Sequence, residues 1–298
     1  MGNVFPGYRG LADIAGVGQV RFADAGITAR QEINAPDLIM GDWDHDAYVY
    51  GPIEVGGSIS GPVTETFVSG SGGGTGIWDW GVKRNGDCGT LTEADVTLYY
   101  YCGGTTNRAR EFVDMLVNSV NFSCAAGDIA QFSIDVLGKG VNDIGGTNGW
   151  LSTDKPPFTD AEKLITWDKV GVTITVGDED FTLPTNIAYS NFEFTISNNL
   201  ETVYSLGQAN LFPFEIVPGL RTITGSISVY NTPQADGVNA WDDYPDAARV
   251  STIAFDIGGL PLTMKCRFHR VEPASSVGPI ISTIGFTGVS HQTGAHWE

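Results

Sequence analysis

Basic residues are scarce in this chain of 298 residues. It has 16 lysines and arginines against 35 aspartates and glutamates, so the formal net charge is -19. Sites for nucleic acid or anionic lipid depend on cationic contacts, which such a surface supplies poorly. The charge balance therefore argues against direct binding to either, and it is compatible with a surface past which nucleic acid slides.

Catalytic residues and motifs are also few. The sequence contains neither a GxSxG nor an HExxH element, and its histidines are His45, His269, His291 and His296. The glycine-rich tract from Ser69 to Gly76 lacks the Gly-Lys-Ser or Gly-Lys-Thr ending of a phosphate-binding loop. We therefore expect a flexible loop there, no enzyme activity and no cofactor.

One short stretch resembles the start of a calcium loop. Asp42, Asp44 and Asp46 alternate, but the sixth position is Ala47 and the twelfth is Ile53, where such a loop needs Gly and Glu. His45 has no second histidine near it in the sequence. A solvated loop before a strand is the better interpretation, and we expect no metal.

Cysteines and long apolar runs are rare as well. The cysteines form no CxxC pair, and we expect them to be reduced and mostly buried, with a disulfide between Cys88 and Cys102 left open. No stretch approaches the roughly 20 apolar residues of a membrane-spanning helix, and the N-terminus has no signal-like apolar run. Nothing in the sequence directs the chain to a membrane.

Apolar and polar residues alternate with period two along most of the chain, which predicts an all-β fold with a few short helices. Phe192, Phe194 and Ile196 form one such apolar face. Others are predicted at 120–124, 132–136, 170–176 and 223–229. Short helices are predicted near Arg108 to Leu116, near Pro245 to Val250, and after a capping box at Thr159–Glu162 through Leu164 and Trp167.

An internal repeat suggests two units. The segment GPIEVGGSIS at 51–60 aligns without a gap with GLRTITGSIS at 219–228, sharing the pair Gly57 and Gly225 among other identities. A stretch at 138–158 is rich in Gly, Asn and Asp and ends in two prolines, as expected of a linker. We therefore predict one β unit over residues 1–150 and a second over residues 151–298.

Two surface features allow other interpretations. Trp78 and Trp80, with the tyrosines at 99–101, could stack on sugar rings, although buried aromatics are commoner. A carbohydrate-binding β-sandwich module is therefore the rival from another functional class. Lys265, Arg267 and His269 alternate along one predicted strand, so we expect an outward basic stripe suited to an acidic neighbour.

The second half carries a family resemblance. Asn198 to Glu201, Tyr204 to Gly207 and Gly219 to Tyr230, with Pro52 to Val63 in the first half, resemble segments of the tail tube proteins of tailed bacteriophages. The resemblance implies two tail-tube-like β-sandwich units whose inner sheets join a ring-wide β-barrel. It also implies a structural virion protein whose stacked rings enclose a channel for the genome.

The resemblance further implies partners. They would be other copies of the chain, in trimeric rings of pseudo-sixfold symmetry or in hexameric rings, and other tail proteins such as tip, terminator and sheath proteins. Viral DNA would pass without sequence-specific binding. Assembly would take place in the host cytoplasm, and the chain would end up in the virion tail. A tail tip or head-to-tail connecting ring component remains the alternative within the same class.

Seven residues are predicted to serve assembly. The loop at 208–218 is apolar enough to contact an adjacent ring or subunit, or it packs under its own sandwich. The strand that follows offers a small polar face suited to a tube wall. The predicted residues are Phe212, Phe214, Arg221, Thr222, Thr224, Ser226 and Ser228.

Overall fold

The computed structural model is mostly β. It describes residues 11–34, 49–69, 76–85, 89–100, 108–142, 151–152, 163–176, 181–182, 189–207, 211–230, 250–258, 260–269 and 281–289. In the first half the strands are β1 (Leu11–Ile14), β2 (Gly18–Arg21), β3 (Asp24–Ala25), β4 (Thr28–Asn34), β5 (Val49–Pro62), β6 (Arg84–Asn85), β7 (Thr90–Leu91), β8 (Ala94–Tyr100), β9 (Arg108–Ala125), β10 (Gln131–Gly138), β11 (Gly140–Asn142) and β12 (Leu151–Ser152).

The second half of the chain is also mostly β. Its strands are β13 (Val170–Val176), β14 (Phe181–Thr182), β15 (Tyr189–Ser197), β16 (Leu200–Val203), β17 (Glu215–Pro218), β18 (Thr222–Tyr230), β19 (Ser251–Ile257), β20 (Leu260–Phe268) and β21 (Ile281–Gly288). The helical segments are α1 (Glu65–Ser69), a π-helical turn at Trp78–Val82 and a 3-10 turn at Trp167–Lys169. No helix in the described ranges is long and apolar enough to span a membrane.

Eight strands form one continuous antiparallel sheet that crosses from the first half into the second. The order is β4, β5, β10, β9, β15, β18, β21 and β20. We call these strands the main sheet. The two halves meet where β9 pairs with β15, from Ser119 opposite Ser197 to Ala125 opposite Asn191. Among the described strands, the sheet does not close on itself into a barrel.

The two halves share one pattern of strand pairing. In the first half β1 pairs with β2 and β8, and the chain of pairs continues from β8 through β9, β10 and β5 to β4. In the second half β13 pairs with β14 and β19, and the pairs continue through β20, β21 and β18 to β15. The repeated sequence segments lie in equivalent strands, and Ile59 and Ile227 are both fully buried.

The hydrophobic core lies against one face of the main sheet. Its most regular feature is a row of phenylalanines on neighbouring strands, in the order Phe132, Phe122, Phe194, Phe286 and Phe268, with Gly225 in place of an aromatic on β18. The rings of Phe122 and Phe194 are 5.5 Å apart. Side chains of both halves belong to this one hydrophobic cluster. The predicted alternation is confirmed in β10 and β15.

One predicted helix is wrong, and the described part of a second is a β-bridge followed by a 3-10 turn. Arg108 to Leu116 begins the long strand β9, where a bulge opposite β8 and Asp114 at φ 51° interrupt the alternation. The bulge leaves Ala109, Phe112 and Met115 buried at intervals of three, which imitates a helical period. Leu164 instead forms a β-bridge with Thr64.

Other predictions fall partly outside the described residues. The residues outside the described ranges include the capping box at 159–162, the segment at 245–249 and the cysteines at 88 and 102. Cys124 and Cys266 are free and buried, as predicted, and burial raises the pKa of the Cys266 thiol to about 12. Part of the predicted linker forms β11 and β12, which pair with β9. The division of the chain near residue 150 stays a prediction.

Gly225 should be sensitive to substitution. A Cβ there would overlap the Phe286 ring and lie 2.7 Å from the Glu193 carbonyl oxygen, whereas at Gly171 the nearest heavy atom would be 3.5 Å away. We expect Gly225→Ala to lower the free energy of unfolding by about 1–3 kcal/mol through overpacking. Gly171→Ala, the matched strand control, should leave it unchanged or raise it. Urea titration of the dispersed subunit measures both, and equal effects would contradict the packing argument.

Candidate functional site

The face of the main sheet that points away from the phenylalanine row is covered with small polar side chains. One row crosses seven strands in the order Ser60, Ser133, Asn121, Thr195, Thr224, Thr287 and Arg267. A second row contains Ser58, Asp135, Ser119, Ser197 and Thr222. We call this surface the polar face. It results from the same period of two that builds the core on the other side.

Side chains on the polar face bond to one another across the strands. The Asn121 amide donates to Glu193 Oε1 at 3.1 Å and to Thr195 Oγ1 at 2.9 Å, bridging the two halves of the chain. Ser119 donates to Asp135 Oδ2 at 2.6 Å. These hydrogen bonds connect side chains of neighbouring strands, so the polar groups of this face partly satisfy one another.

Charge on the polar face is sparse and mixed. In the rows described above, the ionised groups are Asp135 and Arg267, and Glu193 lies one row further along. Lys265, Arg267 and His269 are all exposed on the last strand of the sheet, so the predicted basic stripe is present. His269 Nε2 lies 2.7 Å from Thr287 Oγ1.

The predicted polar assembly residues differ in exposure along β18. Thr222 and Thr224 are exposed and Ser226 is half-buried. Ser228 is only 5% exposed, because its hydroxyl lies 2.9 Å from that of Thr283 on β21. The part of β18 open to a ligand or neighbouring molecule is therefore its first half.

A hairpin formed by β16 and β17 covers one end of the polar face. Ile216 of the hairpin packs with Leu91 and Leu116. Leu116 is paired with Leu137, which lies on the same side of β10 as Asp135 and two residues further along the strand. Lys139 holds the hairpin through Glu215 at 3.1 Å. The second half thereby reaches over the first.

This hairpin and its connections carry several exposed apolar side chains, and Glu201 and Glu215 lie beside two of them. Phe214 is 60% exposed and Leu220 is 80% exposed, and the others are Val203, Tyr204, Leu206, Leu211 and Val217. Phe212 differs, because it is partly buried against the main core. We call the exposed set the hairpin patch. Several exposed apolar side chains in one segment of such an acidic chain are suited to a contact with another protein.

Asn198 fixes the base of the hairpin. Its amide donates to the carbonyl oxygens of Gly81 at 3.0 Å and Val117 at 2.9 Å, and its Oδ1 accepts from Arg221 Nε at 2.9 Å. The side chain is fully buried. The sequence signal was modest: two consecutive asparagines where the alternation of β15 stops. Sequence reasoning placed Asn198 in a motif but assigned it no role.

The remaining sequence candidates give no site of their own. Trp80 is buried and donates from Nε1 to the Met115 carbonyl at 3.0 Å, while Trp78 is half-buried against Phe122, so neither forms an open sugar platform. No cluster of His, Cys, Asp or Glu in the described ranges could hold a metal ion. The aspartates at 42–46 lie outside those ranges, as does most of the glycine-rich tract.

A family model described as phage tail tube protein matches residues 4–288. The chain belongs to this phage tail tube family. It is thus a structural component of the virion tail, and the family is not one of enzymes. A search of curated proteins found no match.

Asn198 provides a test of the anchor that holds the tail tube hairpin. Asn198→Ala removes three side-chain hydrogen bonds and leaves two buried carbonyls unpaired, so we expect a loss of about 2–4 kcal/mol in the free energy of unfolding. Asn121→Ala on the open polar face should cost less than about 1 kcal/mol. Urea unfolding of the dispersed subunits compares them, and a similar small loss in both variants would refute the anchoring role.

Proposed function

We propose that the chain forms rings in which the main sheet of each copy joins that of the next, and that these rings stack into the tail tube. The polar face then lines the channel through which the genome leaves the capsid. The observation that carries the proposal is the β9–β15 pairing, which continues one two-faced sheet from the first half of the chain into the second.

The ends of the main sheet support ring closure. In the described residues β4 pairs only with β5, so its outer edge carries backbone groups available to another strand. At the opposite end β20 pairs with β19 over Leu260–Cys266 and with β21 over Cys266–Phe268, so only Arg267 and Phe268 keep an unpaired edge on the β19 side among the described residues. Exposed edges invite pairing between copies, and closure removes them. The β9–β15 contact provides the pattern for such a junction.

The repeated pairing pattern supports two tube-like units per chain. Each half has the same six antiparallel pairs of strands, and the repeated sequence segments occupy equivalent strands. Three copies would then supply six units around a ring of pseudo-sixfold symmetry. A hexamer of chains is the other arrangement.

The chemistry of the polar face suits a channel for DNA. Hydroxyl and amide groups are wetted by water, and the basic stripe is confined to β20 and the residue after it at one end of the sheet, so attraction to phosphate is limited over the small polar rows. The opposite face is buried in the core and cannot line a channel. DNA would therefore pass this surface without sequence-specific contacts.

The hairpin patch supports stacking. It lies at one end of the polar face along the strands, where a second ring would meet the first. Apolar side chains there would be removed from water by the contact, and each buried side chain would favour it. Tip, terminator and sheath proteins are the further partners expected of a tail tube subunit.

Two alternatives remain. A tail tip or head-to-tail connecting component would share the fold and make only one ring. The carbohydrate-binding module is disfavoured, because the tryptophans that motivated it pack into the protein. Electron microscopy of the purified chain separates the first two, since long hollow tubes require ring upon ring, and their end-on views give the copy number.

Chemical labelling tests which face lines the channel. Two variants are compared: Thr195→Cys on the polar face and Thr173→Cys on the exposed side of β13. In the dispersed subunit both should react with a bulky polyethylene-glycol maleimide, because both threonines are at least partly exposed. In tubes only Thr173→Cys should react. Reaction is followed by gel shift, with the parent chain giving the background of its native cysteines. Unchanged labelling of Thr195→Cys in tubes would place the polar face outside.

The hairpin patch gives a separate prediction. Phe214→Ser should leave the free energy of unfolding nearly unchanged, because the ring is mostly exposed, yet shorten or abolish tubes seen by electron microscopy. Phe212→Ser should destabilise the subunit by about 1–3 kcal/mol, because that ring packs on the core. Tubes of normal length from Phe214→Ser would exclude the patch from stacking.

A further inference from the structure

Two arginines from different halves of the chain lie at the base of the hairpin. Arg84 on β6 donates from Nη2 to the Gly219 carbonyl at 2.8 Å. Arg221 donates from Nε to Asn198 Oδ1 at 2.9 Å. Gly219 and Arg221 are separated only by Leu220, which projects into solvent. One arginine therefore bonds to the residue before Leu220 of the hairpin patch, and the other is the residue after it.

Neither arginine has a carboxylate partner among the described residues, and each keeps a buried nitrogen without an acceptor: Nε of Arg84 and Nη2 of Arg221. Burial lowers the pKa of Arg221 to about 10, and the neighbouring charge of Arg84 contributes to the lowering. Burial lowers the pKa of Arg84 as well. Within the part of the chain that the structure describes, two like charges are thus held near each other, partly desolvated and without a counter-charge.

Such an arrangement is suited to an acidic ligand. A guanidinium carries five N–H donors in a planar fork that matches a carboxylate, and the intramolecular bonds found here use one donor from each arginine. Both side chains are partly exposed, which leaves access from outside. A carboxylate bound at the exposed guanidinium nitrogens would relieve the repulsion between the two charges.

We propose that Arg84 and Arg221 together form a receptor for an Asp or Glu side chain of a second copy of the chain. This rests on the proposed self-assembly. The occupant is argued from charge and position: the chain carries 35 acidic residues and a net charge of -19, and the receptor borders the hairpin patch. One contact would then combine an apolar surface with a single directional ion pair.

The test compares Arg221→Met with Lys83→Met. Both remove one positive charge and keep an unbranched apolar chain, but Lys83 is exposed and pairs with Asp79 at 3.5 Å. Arg221→Met removes a partly buried charge that lacks a carboxylate partner among the described residues, but it also removes the donor to the buried Asn198 Oδ1, so the urea midpoint of the dispersed variant should fall slightly. Its critical concentration for assembly, measured by sedimentation, should rise about tenfold or more. Lys83→Met should match the parent.

Two further variants sharpen the result. Arg221→Lys keeps the charge and loses the planar fork, so it should recover assembly only in part. Arg84→Met should behave as Arg221→Met does. A fall in the urea midpoint with an unchanged critical concentration would show that the arginines only tie the two halves together, and would overturn the receptor.

The remaining outcomes separate this inference from the proposed function. A parent that stays monomeric at every concentration would overturn both. A parent that assembles beside an Arg221→Met variant with the same critical concentration would overturn the receptor alone. Inorganic phosphate gives a last comparison: a rise in the parent's melting temperature that depends on both arginines, with normal assembly of the variants, would assign the pair to a free anion.

Discussion

The structure depends on the separation of two faces across one hydrogen-bonded sheet. Because side chains alternate with period two, a slip of one residue at any strand would exchange the faces of every strand beyond it. At the junction of the halves Phe122 meets Phe194 on the core side, while Asn121 meets Thr195 on the other. The register of β9 with β15 therefore keeps both the core and the polar face continuous across the chain.

A bulge and a glycine in the strands help to maintain this register. The bulge in β9, with Asp114 at positive φ, lies within the part that pairs with β8, and a second register shift opposite β10, between Val117 and Ser119, separates this part from the part that pairs with β15. Bulges bend strands and increase their twist, so one strand can belong to two groups. Gly225 is another local irregularity, at the centre of the phenylalanine row, where Phe286 leaves no room for a side chain. Both features follow from close packing around the junction.

The sequence predicted the parts of this structure that are governed by short-range pattern. The alternation in β10 and β15, the burial of Cys124 and Cys266, and the outward basic stripe all follow from neighbours in sequence. The β9–β15 junction, the closeness of Arg84 to Gly219 and the anchoring by Asn198 depend on residues more than 65 positions apart. The strand β9 misled the prediction because its bulge gives burial at intervals of three, which pattern alone cannot distinguish from a helix.

In the proposed ring, two units on one chain make half of the junctions between units intramolecular. The β9–β15 junction becomes part of folding, so its strands meet at a high effective concentration and do not depend on the concentration of subunits. Only the junction between copies then requires association. The halves differ where the contacts differ: the hairpin and Arg221 belong to the second half, and Arg84 belongs to the first. A ring built from such units has two kinds of junction, and an acidic side chain bound between these arginines would fix which surface of one ring meets the next.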